Sequence, residues 1–517
     1  MSAGPVYDSA LADKNIRNVE LKSVDDWNDH KTYLVKEFTF SCPIDYAKDK
    51  TIDNSIDVTF WLAYGLRSDA GKFADIKWEP VNNRPPGNNW NVFLYLCGGP
   101  GSKNLPTKMT GIIDILLKKG YWVLFPNYRG TGMWKRNSEP MNISKDPLGG
   151  LEVYRHLRPR DIVRDLEAVR LILMGKRPWG NTQPEKDICS WGQSFGTFIT
   201  MSYLSFFPQG LRRACMSGGP PDVEGEVKET HRKLLQKARE LTEEVYQNHP
   251  GLQKQVKEIF KYLAKKEMET DGKGVQMGES GGRLGPKRFM TLGRAFGAKK
   301  SSDGVVEVIR MMHKDITTDL ANTGKRLELS QKTIQEYIKW EGWKLGERPD
   351  FAVMCESQWT PKKGESSSWA AEQVAKEGEN ENYWWWIDRK PEELMTKVDN
   401  PKHKLYFSTE VIFKFFFVEP TWRGLAGFEG IADKVAKIRW HENQYDVGVL
   451  KGLSKTNPRA TALSYKSDPY VPNGFSLNTR DSIGAKNLEL ITHSTWEHTE
   501  IKQNPLQVFN RVVGRGA

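Results

Sequence analysis

The feature that most constrains the fold of this 517-residue chain is the motif Gly-Gln-Ser-Phe-Gly at residues 192–196. The motif follows a short run at 187–191 that is typical of a strand, and it precedes an apolar segment at 197–204 that is typical of a helix. A Gly-x-Ser-x-Gly sequence between a strand and a helix is the pattern of a nucleophile elbow, in which the glycines leave room for a strained turn that exposes the serine hydroxyl. We therefore predict that Ser194 is a catalytic nucleophile. A surface turn is the alternative interpretation.

Strand and helix signals alternate on the N-terminal side of this motif. Residues 32–66 show a two-residue hydrophobic period, which predicts an antiparallel pair of strands. The apolar run at 92–96 is continuous, as expected of a strand buried on both faces. Helical spacing at 112–117 and at 161–174 flanks a further strand-like run at 121–126. This α/β alternation predicts a mostly parallel sheet joined by right-handed crossovers.

The alternation is interrupted in the second half of the chain. Residues from about 224 to 266 are rich in Lys, Glu and Gln with helical periodicity, and further helical signals follow a Gly-rich break at 271–285. Strand-like runs return only at 460–465 and 488–492. We therefore predict two parts of one catalytic domain, residues 1–222 and 420–517, with a mostly helical cap domain of residues 223–419 inserted between them.

Two residues near the C-terminus are candidates to activate Ser194. A serine nucleophile needs a general base and a carboxylate that orients this base, in the chain order Ser, Asp or Glu, His. Asp468 and His498 each follow one of the last two predicted strands, where strand ends place functional groups. We predict that His498 is the base and Asp468 its partner. The weaker alternatives are His493 as the base and Asp446 or Asp481 as its partner.

Acyl transfer also needs hydrogen-bond donors for the developing oxyanion. The backbone amide of Phe195, directly after the serine, is the first candidate. Gly99, in the Gly-Gly-Pro-Gly turn at 98–101, is the second, because glycine permits backbone conformations that turn an amide inward. Gly98 of the same turn is predicted to contact the substrate. A tight turn without catalytic duty is the alternative.

Three successive motifs resemble the signatures of one enzyme family. The turn at 98–101, the Arg-Gly-Thr-Gly run at 129–132 and the elbow at 192–196 resemble those of the proline iminopeptidase, or prolyl aminopeptidase, family of α/β-hydrolases. The run at 283–293 is similar to the long-cap branch of that family. The similarity extends from about residue 35 to the end of the chain. The resemblance implies the α/β-hydrolase fold.

The same resemblance implies a site for a substrate amine. The family releases an N-terminal residue, typically proline, so it must hold a protonated amine, and a buried cation needs carboxylate partners. Glu356 and Glu410 match the family's amine-binding positions, and both are flanked by apolar residues. A carboxylate on a helix surface is the alternative interpretation for each.

Composition narrows the other classes of function. The chain has 76 Lys and Arg against 65 Asp and Glu, a net charge of +11, but the basic residues are scattered, which favours a solvated surface over a nucleic-acid site. Its five cysteines form no CxxC pair and no metal-ligand spacing, which is typical of reduced thiols. A signal-peptide pattern and a long apolar segment are both lacking. We expect a cytoplasmic protein with no metal or organic cofactor and no nucleic-acid or membrane partner, and we leave a homo-oligomer open.

These observations predict a serine hydrolase that releases an N-terminal proline or small residue from peptides through a Ser-His-Asp acyl-enzyme mechanism. One alternative is an α/β-hydrolase that acts on an ester, lactone or amide of a secondary metabolite. Another is a non-catalytic binding protein with the same fold.

Overall fold

The structure of the protein is a computed structural model. Residues 1–8, Gly132 and Asp187, which belong to segments considered above, lie outside its described part. The structure describes residues 9–26, 32–66, 68, 70, 91–131, 135–136, 139–140, 147–174, 188–270, 272, 274–278, 281–297, 299–317, 328–341, 349–418, 421–456 and 458–514.

Strands occur along most of the chain, and nine of them form one sheet. The thirteen strands of the described residues are β1 (Glu20–Asp26), β2 (Tyr33–Cys42), β3 (Ile56–Leu66), β4 (Val92–Leu96), β5 (Trp122–Asn127), β6 (Lys135–Arg136), β7 (Glu139–Pro140), β8 (Ile188–Gln193), β9 (Leu211–Ser217), β10 (Val275–Gln276), β11 (Arg283–Leu284), β12 (Arg459–Tyr465) and β13 (Glu489–His493).

The large sheet has the order β1-β2-β3-β5-β4-β8-β9-β12-β13. The pairs β1–β2, β2–β3 and β3–β5 are antiparallel, and all pairs from β5 to β13 are parallel. All residues of β4 and β8 are buried, as expected of central strands covered on both faces. The chain therefore has the α/β-hydrolase fold, which confirms the fold prediction. The two remaining strand pairs, β6–β7 and β10–β11, are short antiparallel hairpins.

Helices connect the strands and fill the interval between β9 and β12. They are α1 (Ser9–Lys14), α2 (Thr110–Lys118), α3 (Pro147–Tyr154), α4 (Pro159–Met174), α5 (Phe195–Phe206), α6 (Val227–Asn248), α7 (Leu252–Glu269), α8 (Pro286–Phe289), α9 (Lys299–Thr317), α10 (Gln331–Trp340), α11 (Pro349–Met354), α12 (Ala370–Ala375), α13 (Asn380–Tyr383), α14 (Pro391–Lys397), α15 (Phe415–Val418), α16 (Glu429–Ala436), α17 (Val447–Lys451), α18 (Leu453–Thr456), α19 (Asn473–Ile483), α20 (Glu500–Gln503) and α21 (Pro505–Val512).

The sheet is covered on both faces. Helices α2 and α21 pack against each other, and their Ile113 and Phe509 join the core of one face. Helices α4 and α5 pack together on the other face, where Val169 and Ile199 belong to the second core cluster. This arrangement fixes the carboxyl ends of the parallel strands at one edge, where an open α/β sheet presents its functional groups.

The described part of the interval between β9 and β12 contains the thirteen helices α6 to α18 and the β10–β11 hairpin. Ten of them, α6 to α15, lie within the predicted cap of residues 223–419, and α16 to α18 lie in the predicted second part of the catalytic domain. The domain limits of 1–222, 223–419 and 420–517 remain a proposal. No helix in the described ranges combines the length and the apolar character needed to cross a lipid bilayer.

Two parts of the fold bear on particular sequence expectations. The antiparallel pair expected within residues 32–66 is present as β2 and β3, whereas β1 was not predicted. Strand β1 has no fully buried residue and lies at the edge of the sheet, so its sequence carries no hydrophobic alternation. Strand β1 is therefore held in the sheet by its antiparallel pairing with β2.

Candidate active site

The turn between β8 and α5 has the geometry of a nucleophile elbow. Ser194 has φ of 55° and ψ of −122°, a strained conformation for a residue with a side chain. A Cβ atom on Gly192 would lie 2.3 Å from the carbonyl oxygen of Gly196, and one on Gly196 would lie 2.0 Å from the carbonyl oxygen of Leu96 in β4. Both glycines are therefore required for this turn to form against the sheet.

Hydrogen bonds hold the elbow against the end of β9. The Ser194 amide donates to the carbonyl oxygen of Ser217 over 3.0 Å. The hydroxyl of Thr197, in the first turn of α5, donates to the carbonyl oxygen of Gly219 over 2.7 Å. These bonds fix the position of Ser194 relative to the strand ends.

His498 and Asp468 form the pair expected from the sequence. The Nδ1 atom of His498 lies 2.6 Å from Oδ2 of Asp468, and both side chains are buried. The other ring nitrogen, Nε2, is buried and has no hydrogen-bond partner among the described residues. A neutral ring that donates from Nδ1 to the carboxylate leaves Nε2 as a proton acceptor.

The loop after β12 orients Asp468. The amides of Tyr470 and Val471 donate to Oδ1 of Asp468 over 2.8 and 3.0 Å. The ring of Tyr470 meets the ring of His498 edge to face, with centroids 4.7 Å apart. The sequence prediction omitted Tyr470, although its place two residues after Asp468 was a usable signal.

Gly218 allows the histidine to approach the elbow. Its φ is +87°, and a Cβ atom there would lie 3.0 Å from Cε1 of His498 and 3.2 Å from the amide nitrogen of Ser194. Because Gly218 has no side chain, the ring of His498 can lie close to the backbone of Ser194. The structure thus brings Ser194, Asp468 and His498 to one edge of the sheet.

The charge around His498 favours its protonated form. Burial lowers the pKa of His498, but the charge and hydrogen bond of Asp468 and the charge of Glu410 outweigh it, so that the pKa is raised. A raised pKa suits a base that must take up a proton during the reaction.

The candidate oxyanion donors lie beside the serine. Gly99, Phe195 and Ser194 line one small cavity of about 20 Å³. Phe195 begins α5, and the first amides of a helix have no partner within the helix. Gly98 lies next to them, because a Cβ atom on it would be 3.0 Å from Cβ of Ser194. These positions suit the predicted roles of Gly98, Gly99 and Phe195.

Glu410 reaches the same small cavity. It lines the cavity with Ser194, and its Oε2 atom is buried without a hydrogen-bond partner among the described residues. Burial raises the pKa of Glu410 to about 7, against the lowering effect of His498 and Arg294. Phe198 and Trp359 form an aromatic wall, with ring centroids 4.9 Å apart. The cavity thus combines an apolar wall with an unpaired carboxylate oxygen.

Glu356 has a different environment from Glu410. Its Oε2 accepts a hydrogen bond from the amide of Trp369 over 3.1 Å, and its Oε1 accepts one from the amide of Ala371 over 3.2 Å. Glu356 is not among the described residues that line either cavity next to Ser194. These contacts give Glu356 a role in holding the start of α12, and its convergence with Glu410 on a substrate amine stays a prediction.

The weaker candidates lie in other environments. The ring of His493 stacks on Trp496 with centroids 4.0 Å apart, and its Nδ1 accepts the amide of Trp496. Asp446 accepts the amide of Val449 at the start of α17. Asp481 pairs with its neighbour Arg480. These contacts give each of the three residues a local structural role.

The Arg-Gly-Thr-Gly motif has a structural role near the site. The guanidinium of Arg129 forms two hydrogen bonds with Asp165, of 2.7 and 2.6 Å, and donates to the carbonyl oxygens of Pro43 and Ile44. The hydroxyl of the preceding Tyr128 donates to the carbonyl oxygen of Cys97. The motif therefore fastens the loop after β5 to the turn that carries the candidate oxyanion donor.

One cluster among the described residues has potential metal ligands. Ligand atoms of Asp45, Glu152 and His156 lie within 4.8 Å of one another. The Nζ atom of Lys48 lies 3.1 Å from Oδ2 of Asp45 and 2.8 Å from Oε1 of Glu152. The lysine occupies both carboxylates with an ion pair, so the cluster carries no metal assignment.

The sheet order, the elbow and the Ser-Asp-His arrangement define an α/β hydrolase. No protein-family model matches the chain. Proline iminopeptidase aneH of Aspergillus aculeatus is 24% identical over 424 residues, which cover 80% of this chain and 83% of that protein. Proline iminopeptidase of Aeromonas sobria is 24% identical over 421 residues, which cover 81% and 86%. Among solved structures, proline iminopeptidase of Mycobacterium smegmatis is 9% identical with a TM-score of 0.33, covering 87% of this chain and 91% of that one. The two sequence relatives confirm the resemblance to proline iminopeptidases.

Proposed function

We propose that the protein is a serine aminopeptidase that releases an N-terminal proline or other small residue from short peptides. The observation that carries the proposal is the small cavity, which joins Ser194, the candidate oxyanion donors and the unpaired oxygen of Glu410. A substrate amine bound by Glu410 would place the adjacent carbonyl carbon near the serine. The names of the two sequence relatives support the same activity.

The first half of the reaction forms an acyl-enzyme. Oγ of Ser194 attacks the carbonyl carbon while Nε2 of His498 takes the hydroxyl proton, and Asp468 stabilises the charged ring. The amides of Gly99 and Phe195 hold the oxyanion of the tetrahedral intermediate. Collapse of the intermediate breaks the peptide bond, and His498 gives its proton to the leaving amine.

The second half releases the N-terminal residue. His498 takes a proton from a water molecule, whose oxygen attacks the ester carbonyl of the acyl-enzyme. The bond to Oγ then breaks, and the proton returns from His498 to Ser194. This sequence uses protein groups and water. We also propose that the protein is cytoplasmic and acts without a nucleic-acid or membrane partner.

A comparison of amine and blocked substrates tests the proposal. We expect kcat/KM for prolyl and alanyl arylamides to exceed that for their N-acetylated forms and for simple esters. Glu410→Gln should lower kcat/KM for the free amines about tenfold or more, because a charged hydrogen bond is lost. The exposed Glu429→Gln is the matched control. A preference for blocked amines or esters would instead favour a hydrolase of secondary metabolites.

A further inference from the structure

A second cavity next to Ser194 is lined by basic side chains. It has a volume of about 460 Å³, and Ser194, His498 and Gly98 form part of its wall. Five of its described lining residues are basic and none is acidic. The basic residues are Lys103, Lys108, Arg294, Lys339 and Lys502.

Arg294 is the buried member of this set. It is 2% exposed, and all three of its guanidinium nitrogens lack a hydrogen-bond partner among the described residues. Its guanidinium carbon lies 5.4 and 5.9 Å from the ring centroids of Phe351 and Phe416. Aromatic rings replace only part of the hydration of a buried charge, which normally requires a hydrogen-bonded anion.

The nearby carboxylates do not supply that anion. Glu341 accepts hydrogen bonds from Arg288 and from Trp422. Glu410 interacts with the charge of Arg294, but no ion pair joins them among the described residues, and Oε2 of Glu410 is itself unpaired. Two opposite charges therefore stay unpaired in neighbouring cavities at Ser194.

In the proposed function, the two cavities would receive the two sides of the scissile bond. Glu410, Gly99 and Phe195 line the small cavity, which would receive the N-terminal residue and the oxyanion. His498 lines the large cavity, and it is the group that protonates the leaving amine. The leaving group would therefore depart into the basic cavity, whose volume suits a small molecule.

We propose that Arg294 binds a carboxylate on the leaving group, so that the preferred substrates are short peptides with a free C-terminal carboxylate. This inference rests on the proposed aminopeptidase function. A planar guanidinium can bind a carboxylate through two parallel hydrogen bonds. Lys103 and Lys502, both exposed, would attract the anion to the mouth of the cavity. A phosphate would satisfy the same chemistry and is distinguished by the test.

The test compares prolyl anilides that differ in the charge of the leaving group. The substrates are the prolyl amides of 4-aminobenzoate, of neutral 4-aminobenzamide and of 4-aminophenyl phosphate. The readout is kcat/KM for each anion divided by that for the neutral substrate, so that a general loss of activity cancels. We expect this ratio for the carboxylate to fall about tenfold or more in Arg294→Met. Arg294→Lys should keep part of the preference.

Further variants keep the test decisive. Lys502→Gln should lower the ratio by a smaller factor that shrinks at high salt, and Lys486→Gln, which lies outside this cavity, should not change it. Equal ratios in the wild type and in Arg294→Met would overturn the proposal. A larger effect on the phosphate than on the carboxylate would overturn the carboxylate assignment.

If the protein is not an aminopeptidase, the experiment with the prolyl anilides gives a different result. In that case no prolyl anilide is hydrolysed, and the same ratio is measured with acetyl esters of 4-hydroxybenzoate and 4-hydroxybenzamide. Loss of a carboxylate preference in Arg294→Met would support the anion site with an ester substrate, and an unchanged ratio would overturn it.

Discussion

At the scale of single residues, three charged neighbours and burial determine the pKa of His498. The charges of Asp468 and Glu410 raise its pKa, while Lys502 and burial lower it. Glu410 itself has a pKa raised to about 7 by burial. Catalysis needs neutral His498, and amine binding needs ionised Glu410, so both requirements are met as the pH rises.

This arrangement predicts the pH profile of kcat/KM for prolyl arylamide. Between about pH 5 and 8 the wild-type value should rise with a slope steeper than one proton, because both His498 and Glu410 must lose a proton. In Glu410→Gln one titrating group is gone, and one of the two negative charges that raise the pKa of His498 is lost while Asp468 remains. The rise should therefore follow one proton and move to lower pH. An unchanged pH profile in this variant would contradict a role for Glu410 in binding the substrate amine.

Sequence alone could predict the residues whose roles follow from local patterns. The elbow glycines and Ser194 form one continuous turn, and Asp468 and His498 follow strands that the hydrophobic pattern reveals. Arg294 could not be predicted, because its burial depends on rings that are distant in sequence. The partners of Glu356 are likewise set by the packing of α12, which the sequence pattern does not determine.

At the scale of elements, Glu356 connects the end of α11 to the start of α12. Its carboxylate accepts the amides of Trp369 and Ala371. Burial raises its pKa to about 7, although hydrogen bonds from Ser367 and from these two amides lower it. A group with a raised pKa stabilises the fold below its unfolded pKa, and this contribution is lost as the pH rises through the folded value.

Glu356→Ala tests this connection. We expect the free energy of unfolding to fall by about 2 kcal/mol at pH 5, because two buried amides lose their acceptor, and by less at pH 8. Urea unfolding at both pH values measures the difference, with the exposed Glu429→Ala as the control. The loss of kcat/KM for free amines should be smaller than in Glu410→Gln. A loss of kcat/KM larger than in Glu410→Gln would instead support a role for Glu356 in binding the substrate amine.

At the scale of the whole molecule, distant segments assemble one site. The turn with the candidate oxyanion donor Gly99 follows β4, Ser194 follows β8, and Asp468 and His498 follow β12 and β13. The helical interval between β9 and β12 contributes Glu410 and Arg294. A buried cluster also joins remote parts of the chain, because Arg164 in α4 pairs with both Asp13 and Glu442. The reactivity of Ser194 should therefore require the folded chain.

Covalent labelling of Ser194 by a fluorophosphonate tests the central claim most directly. Mass spectrometry of the folded protein should show one adduct per chain, located on Ser194, because His498 activates this hydroxyl. The adduct should be absent in Ser194→Ala and after unfolding in urea, and it should form more slowly in His498→Ala. An unlabelled folded protein, or an adduct that persists in Ser194→Ala, would contradict the assignment of Ser194 as the nucleophile.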